Sequence, residues 1–530
     1  MAVIYEIKKR RVIPNWRDYR RTLQIGELGN STTPELNINI DRIVDDWRLD
    51  QNIGTAAELV NAAFISEKLN FTELIEAIIY IRDNKTRSSN TLLNLITAIE
   101  DNNGTKKAIG TNNLLLEKDV ETINEFQAFI NNKSLYKIIN RTKARSRNET
   151  FNPIVWVELA RMYTMHGQYK KAEKSIRIAL HLAPENRFVL RSATRFFIHS
   201  EQFEKALYYL RKSDSMKTDP WLISAHIATS SIMDRFSPMI KEGEKLIKSD
   251  KFSPYELTEL LSSIGSLEFN DGSFKKAKSY FEKSMIQPND NTLAQMEWVS
   301  KEDYRFQFNP FKFTEVINPF EAYALDYYEK GNWKDAFYNC IKWFLDVPFS
   351  KRPVLLGSYI AGSLLKDKNA AILLCEVGLQ ANPHDPTLLN NIIYDFATSG
   401  NIENASKYIN QLKEVDIGSL PNESKITIQA TLGLVSLRNN EFEIGKQLYE
   451  LAIDNSIRIR NDYLKNLAIV NYTRELIIAN QPEYEKYLKI VENMQLSDNH
   501  KDLIELRKDI LDLLKKSTIT NRQDYSSKPH

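Results

Sequence analysis

Between Trp156 and Asn186 the apolar residues fall into two successive helical registers. Trp156, Leu159, Ala160 and Tyr163 stand at 0, +3, +4 and +7, one face of a helix. Past Gly167 a second face is made by Tyr169, Ala172, Ile176 and Ala179. Pro184 stops that helix, because proline has no N–H for the ladder. The pattern predicts a helical hairpin whose partners approach closely where Ala160 and Ala172 keep them thin.

Displacing the pattern by 34 residues tests it, since a chance hairpin does not recur in register. The same roles then fall to Leu190, Ala193, Thr194, Phe197, Phe203, Ala206 and Leu210. Gly265, Gly272, Phe274, Ala277, Phe281 and Pro288 fit further along, as do Ala324, Tyr327, Gly331, Trp333, Ala336, Cys340 and Pro348. Ala371, Cys375 and Pro383 follow, then Phe396, Gly400 and Ala405, then Gly433, Phe442, Gly445 and Tyr449. Such a succession of Trp, Leu, small, Tyr, Ala, apolar and Pro positions resembles the tetratricopeptide family, and the array resembles its bacterial members. Units start near 153, 187, 258, 317, 352, 386 and 426, with weaker ones near 221 and 461, so the resemblance covers 153–495. It implies an all-α fold in which hairpins stack into a right-handed α-α superhelix, with the first helix of each lining a concave groove.

Outside the array the pattern changes. Residues 31–150 carry helical periodicity in "LNINIDRIVDDWRL", "AAELVNAAFIS", "FTELIEAIIYI" and "TLLNLITAI", a helical N-terminal extension of degenerate repeats, interrupted by a polar linker at 101–113. Residues 1–30 form a basic arm in which Pro14, Gly26 and Gly29 oppose a long helix. The arm has little apolar periodicity, so its neutralisation is expected to leave stability unchanged. Within the array the insert 301–319 places Tyr304, Phe306, Phe308, Phe311 and Phe313 in near-alternation, which suits an extended clasp across the helices. Residues 496–530 read as a charged helix ending in a disordered tail, "TNRQDYSSKPH".

Composition removes function classes. Lys plus Arg at 71 against Asp plus Glu at 69 leaves +2, so only local clusters favour a polyanion. The clusters are Lys8, Lys9, Arg10 and Arg11 in the arm, and Arg141, Lys143, Arg145 and Arg147 before the array. Cys340 and Cys375 occupy apolar second-helix positions and are expected to be free buried thiols. The start, Met-Ala-Val-Ile-Tyr, lacks the charged-then-apolar run of a signal peptide, and no apolar stretch reaches 18 residues, so a cytoplasmic protein without membrane contact is expected. No phosphate loop, HExxH, CxxC or GxSxG signature occurs, and the histidines are scattered. The expectation is a protein without catalysis, metal or cofactor.

The tetratricopeptide resemblance places Val157 with Arg161, and Arg191 with Arg195, on inward positions of first helices. His199 extends the second row by one turn. Arginines stacked in this way repel unless carboxylates meet them, so Arg161, Arg191, Arg195 and His199 are the candidate contacts for an acidic protein or peptide partner, with glutamates inside the array as the alternative. Glu158 and Ser192 stand where chaperone-tail clamps need asparagines, which disfavours such a tail. Two functions remain. One is a non-catalytic scaffold or adaptor that binds a partner segment in the groove. The other is a nucleic-acid-associated regulator that docks through the basic arm.

Overall fold

The computed structural model describes residues 10–19, 21–22, 40–65, 71–84, 96 and 132–526, the side chains of 42, 61, 64, 65, 132–135 and 516–526 excepted. All regular structure among them is helical, and no helix among them is long and apolar enough to cross a membrane. Two compact units divide the chain. Residues 30–150 form one, and residues 1–29 join 151–530 in the other.

In the smaller unit, Ile40–Leu49, Ile53–Ile65 and Thr72–Asp83 enclose a core of Trp47, Leu59, Val60, Leu74 and Ile81, with Trp47 edge-on to Tyr80. Helix Asn132–Asn148 belongs to this unit. The linker 101–113 and most of "TLLNLITAI" lie outside the described residues.

The larger unit is the array. Most of its first helices start where a side chain caps the free N–H groups: Asn152, Asn186, Asp219, Ser253, Asn289, Asp385 and Asn461 each accept from the first turn, while Phe320–Glu329, Lys351–Tyr359 and Asn422–Arg438 start without such a cap. Pro153, Pro220, Pro254 and Pro386 follow their caps, where a missing N–H costs nothing. Turns inside the hairpins need a left-handed residue. Gly167, Gly272, Gly331 and Gly400 supply it at φ of +67°, +77°, +75° and +86°. Glu201, Asn440 and Asn480 take the same conformation in other hairpins, which is why those units lack the glycine. Ala172, Ala206, Ala277 and Ala336 are fully buried.

The weak units are complete hairpins, Pro220–Ile232 with Ile240–Ile247 and Asp462–Ile478 with Tyr484–Glu492. A further first helix, Asp290–Glu302, has no second helix of its own; the aromatic insert replaces it. Phe306 packs on Phe269 and Phe281, Phe308 stacks on Phe313, and Phe311 stacks on Tyr323 at 4.4 Å, while Tyr304 stays 87% exposed.

The array curves until it meets itself. The Tyr169 hydroxyl donates to the Ala381 carbonyl, and Gly167 lies so close to Gln380 that an added Cβ would stand 2.6 Å from its carbonyl oxygen. At the C-terminus, helix Lys501–Ser526 folds back on the array through Leu503, Leu506 and Ile510. Asp502 Oδ2 accepts from Tyr328, Tyr359 and Tyr463 at 2.9, 2.9 and 2.6 Å. The helix runs into the stretch expected as a disordered tail, because no glycine or proline breaks it before Pro529.

Candidate functional site

Carboxylates and amides from first helices, and one carboxylate from the end of a second helix, come together along the array. Asn291 and Gln295 lie one turn apart on Asp290–Glu302, beside Asp290 at the start of that helix. Glu321 begins Phe320–Glu329, and Asp346 ends Trp333–Asp346. These are buried or nearly so, and a buried carboxylate needs a partner. The partner is the N-terminal arm.

Arg10, 5% exposed, grips Glu321 with two parallel bonds, Nε to Oε1 at 3.0 Å and Nη2 to Oε2 at 2.9 Å. It also donates to Gln295 at 3.0 Å and to Asn291 at 2.9 Å. Arg17, 2% exposed, forks onto Asp346 at 2.9 and 2.6 Å and also donates to Asp290. Between them Asn291 Nδ2 donates to the Ile13 carbonyl, and Asn15 donates to Asp290, both at 2.9 Å. Trp16 is fully buried between Phe196 and Phe349, and Tyr19 packs edge-on to Phe188 while its amide donates to Glu158 at 2.8 Å. Phe196 and Phe349 come from distant repeats, so the indole sits inside the curve of the array.

Electrostatics follow the geometry. Burial raises the Glu321 carboxyl, but Arg10 and Arg352 outweigh it and hold the group at about 2. At Asp290 burial prevails over Arg17, with Asp346 adding repulsion, and its pKa rises. Arg11 donates to Ser231 at 2.7 Å, and burial lowers its pKa, opposed by Asp234.

Each expected site residue has a place in this arrangement. Arg161 is buried and pairs at 3.4 Å with Glu158, the carboxylate that receives the Tyr19 amide. Arg191 is 4% exposed, pairs with the buried Glu259 at 2.7 Å and lies 4.7 Å from the Trp221 ring centroid. Arg195 lies over Phe349; burial and Arg352 lower it to about 10. His199, between Tyr169 and Phe349, is pushed down to about 3, mainly by burial and then by Arg195, so it carries no charge at neutral pH. Of the two expected counterparts, Arg161 and Arg191 have the internal one, Glu158 and Glu259, and the face that receives the arm is acidic.

The polyanion candidates separate. Lys8 and Lys9 lie outside the described residues. Arg10 is not a free cation but part of the buried core of the larger unit, and Arg11 is half-buried, because the groove supplies acceptors that outbid water for them. Arg141, Lys143, Arg145 and Arg147 are exposed on Asn132–Asn148, with Arg145 paired to Glu149 at 2.7 Å.

No family model matches the chain, and no curated protein matches it. Among solved structures it is similar to the yeast Tom70 crystal structure (14% identity, 78% of this chain and 100% of that one, TM-score 0.30). It is also similar to the human IFIT1 dimer with PPP-AAAA (14%, 73% and 99%, TM-score 0.35) and to the APC/C hetero-tetramer Cut9-Hcn1 (13%, 89% and 92%, TM-score 0.37). The larger unit is a succession of helical hairpins.

Sequence reasoning missed Asn291, Gln295, Glu321 and Asp346 as groove contacts. Polar residues at buried helix positions, Asn291 and Gln295 one turn apart, were the available signal. The arm offered its own, two aromatics among arginines in a stretch that cannot form a long helix.

Proposed function

We propose that this chain is a non-catalytic interaction scaffold that holds an extended segment of a protein partner in the concave groove of its helical array. The supporting observation is the arm itself. Residues 10–19 lie mostly unwound along the first helices, with side-chain and backbone groups both taken up. A groove that binds main chain, two arginines and an indole is chemically a peptide receptor. The reading of the arm as a nucleic-acid contact loses its basis at Arg10 and Arg17, whose guanidinium groups are spent on Glu321, Asp290 and Asp346.

The test uses the full chain carrying Trp16→Ala and Arg17→Ala, so that the arm no longer holds the groove. Displayed random 15-residue peptides are selected on it, and hydrogen exchange maps where they bind. Protection is expected on first helices Arg187–His199, Asp290–Glu302 and Phe320–Glu329. Selected peptides that protect only second helices would move the binding surface off the groove.

A further inference from the structure

The acidic face works as a ruler. Glu321, Asn291 and Gln295 take the first guanidinium, and Asp346 with Asp290 takes the second, seven residues on. The chain between is without helix, turns once where the Ile13 amide donates to the Arg11 carbonyl at 2.8 Å and is tied down by Asn291 on the Ile13 carbonyl, and the slot between Phe196 and Phe349 accepts the aromatic ring that precedes the second arginine. Every one of these contacts is long-range; even Tyr19 to Glu158 spans 139 residues of sequence. The same side chains on a separate molecule would meet the same groups.

We propose that the groove is a receptor for a non-helical partner segment bearing two arginines seven positions apart, with an aromatic residue immediately before the second, and that residues 10–19 are its cis ligand. This rests on the scaffold reading above and adds the chemistry of the partner. Arginine is required at both places because each contact is a fork: two N–H groups on one carboxylate at the first, and donors shared between two carboxylates at the second. A tethered ligand acts at an effective concentration on the order of mM, so partner and arm compete and the free groove is the binding state.

The probe is a labelled synthetic peptide copying residues 8–22, "KKRRVIPNWRDYRRT". It is expected to bind the full chain carrying Arg10→Ala and Arg17→Ala, and to bind the parent at least about tenfold more weakly because the arm competes. A peptide with lysine in place of both arginines, or with one residue inserted between them, is expected to lose about tenfold in affinity. Equal binding of the inserted peptide and the copy overturns the ruler while leaving the scaffold reading intact. Failure of the copy on both chains, each shown folded by circular dichroism, overturns the proposal, and the library selection then decides the scaffold reading separately. If the double variant does not fold, an isotope-labelled copy is added in excess to the parent chain. Deprotection of residues 10–19 to hydrogen exchange is then the expected result, and unchanged protection contradicts it.

Discussion

Glu297 shows how the groove's charges set its response to pH. It lies fully buried on Asp290–Glu302, with Lys301 Nζ at 3.3 Å and Asp326 and Glu329 on the neighbouring helix. Burial raises its pKa, Lys301 opposes this, Asp326 adds to it, and the group reaches about 7 against an ordinary 4.5. A carboxyl raised on folding holds its proton more tightly in the native state. Its contribution to stability is therefore complete below 4.5 and is lost as pH rises through about 7. Glu297→Gln keeps the neutral form at every pH. Its melting temperature should exceed the parent's at pH 8 by a few degrees, and the gap should close at pH 4.5; an equal gap at both would place the cause elsewhere. Glu321 has the opposite sign. Held at about 2 by Arg10 and Arg352 despite its burial, it favours the seated arm above 4.5, and that contribution fades as pH falls toward 2.

At the level of elements, the hairpin is governed by how closely two helices approach. Ala336 on Trp333–Asp346 is fully buried, and the hairpin with Phe320–Glu329 turns at Gly331. Ala336→Leu adds three carbons where there is no room and should cost about 1–3 kcal/mol in denaturant unfolding. A variant that unfolds with the parent would show that the contact is not tight. This layer was legible in the sequence, because alanine spacing, glycine turns and capping residues are local signals that repeat with the hairpin. The helix Asp290–Glu302 was not seen as a unit of its own, since its partner is an insert of turns and a 3-10 helix and the 34-residue period breaks there. The alternation of Phe306, Phe308, Phe311 and Phe313 suggested an extended stretch, but the insert folds into turns and a short 3-10 helix, Pro310–Lys312, which lets Phe308 stack on Phe313 while Phe306 and Phe311 pack against the neighbouring helices.

For the molecule as a whole, both described ends of the larger unit return to the array: the arm through Arg10, Trp16 and Arg17, and the last helix through Asp502 and its three tyrosines. Neither return could be read from periodicity. Arg17 finds Asp290 and Asp346 across 273 and 329 residues, and no local window contains both sides of such a pair. A run of arginines with no apolar stripe looks like a solvated tail when the acidic face waiting for it is folded from distant repeats. Arg191 likewise suggested an internal carboxylate without showing which, because Glu259 stands 68 residues away.

Amide hydrogen exchange of residues 10–19 in the full chain measures the seated arm most directly. These residues are almost without helix, so in a free arm their amides would exchange at the rates of an unfolded peptide. Seated in the groove, with Trp16 and Val12 buried and the Tyr19 amide bonded to Glu158, they should be strongly protected. In Arg17→Glu, which sets a third carboxylate against Asp290 and Asp346, that protection should disappear while the array helices keep theirs. Unfolded-peptide rates across residues 10–19 in the parent chain would contradict the account.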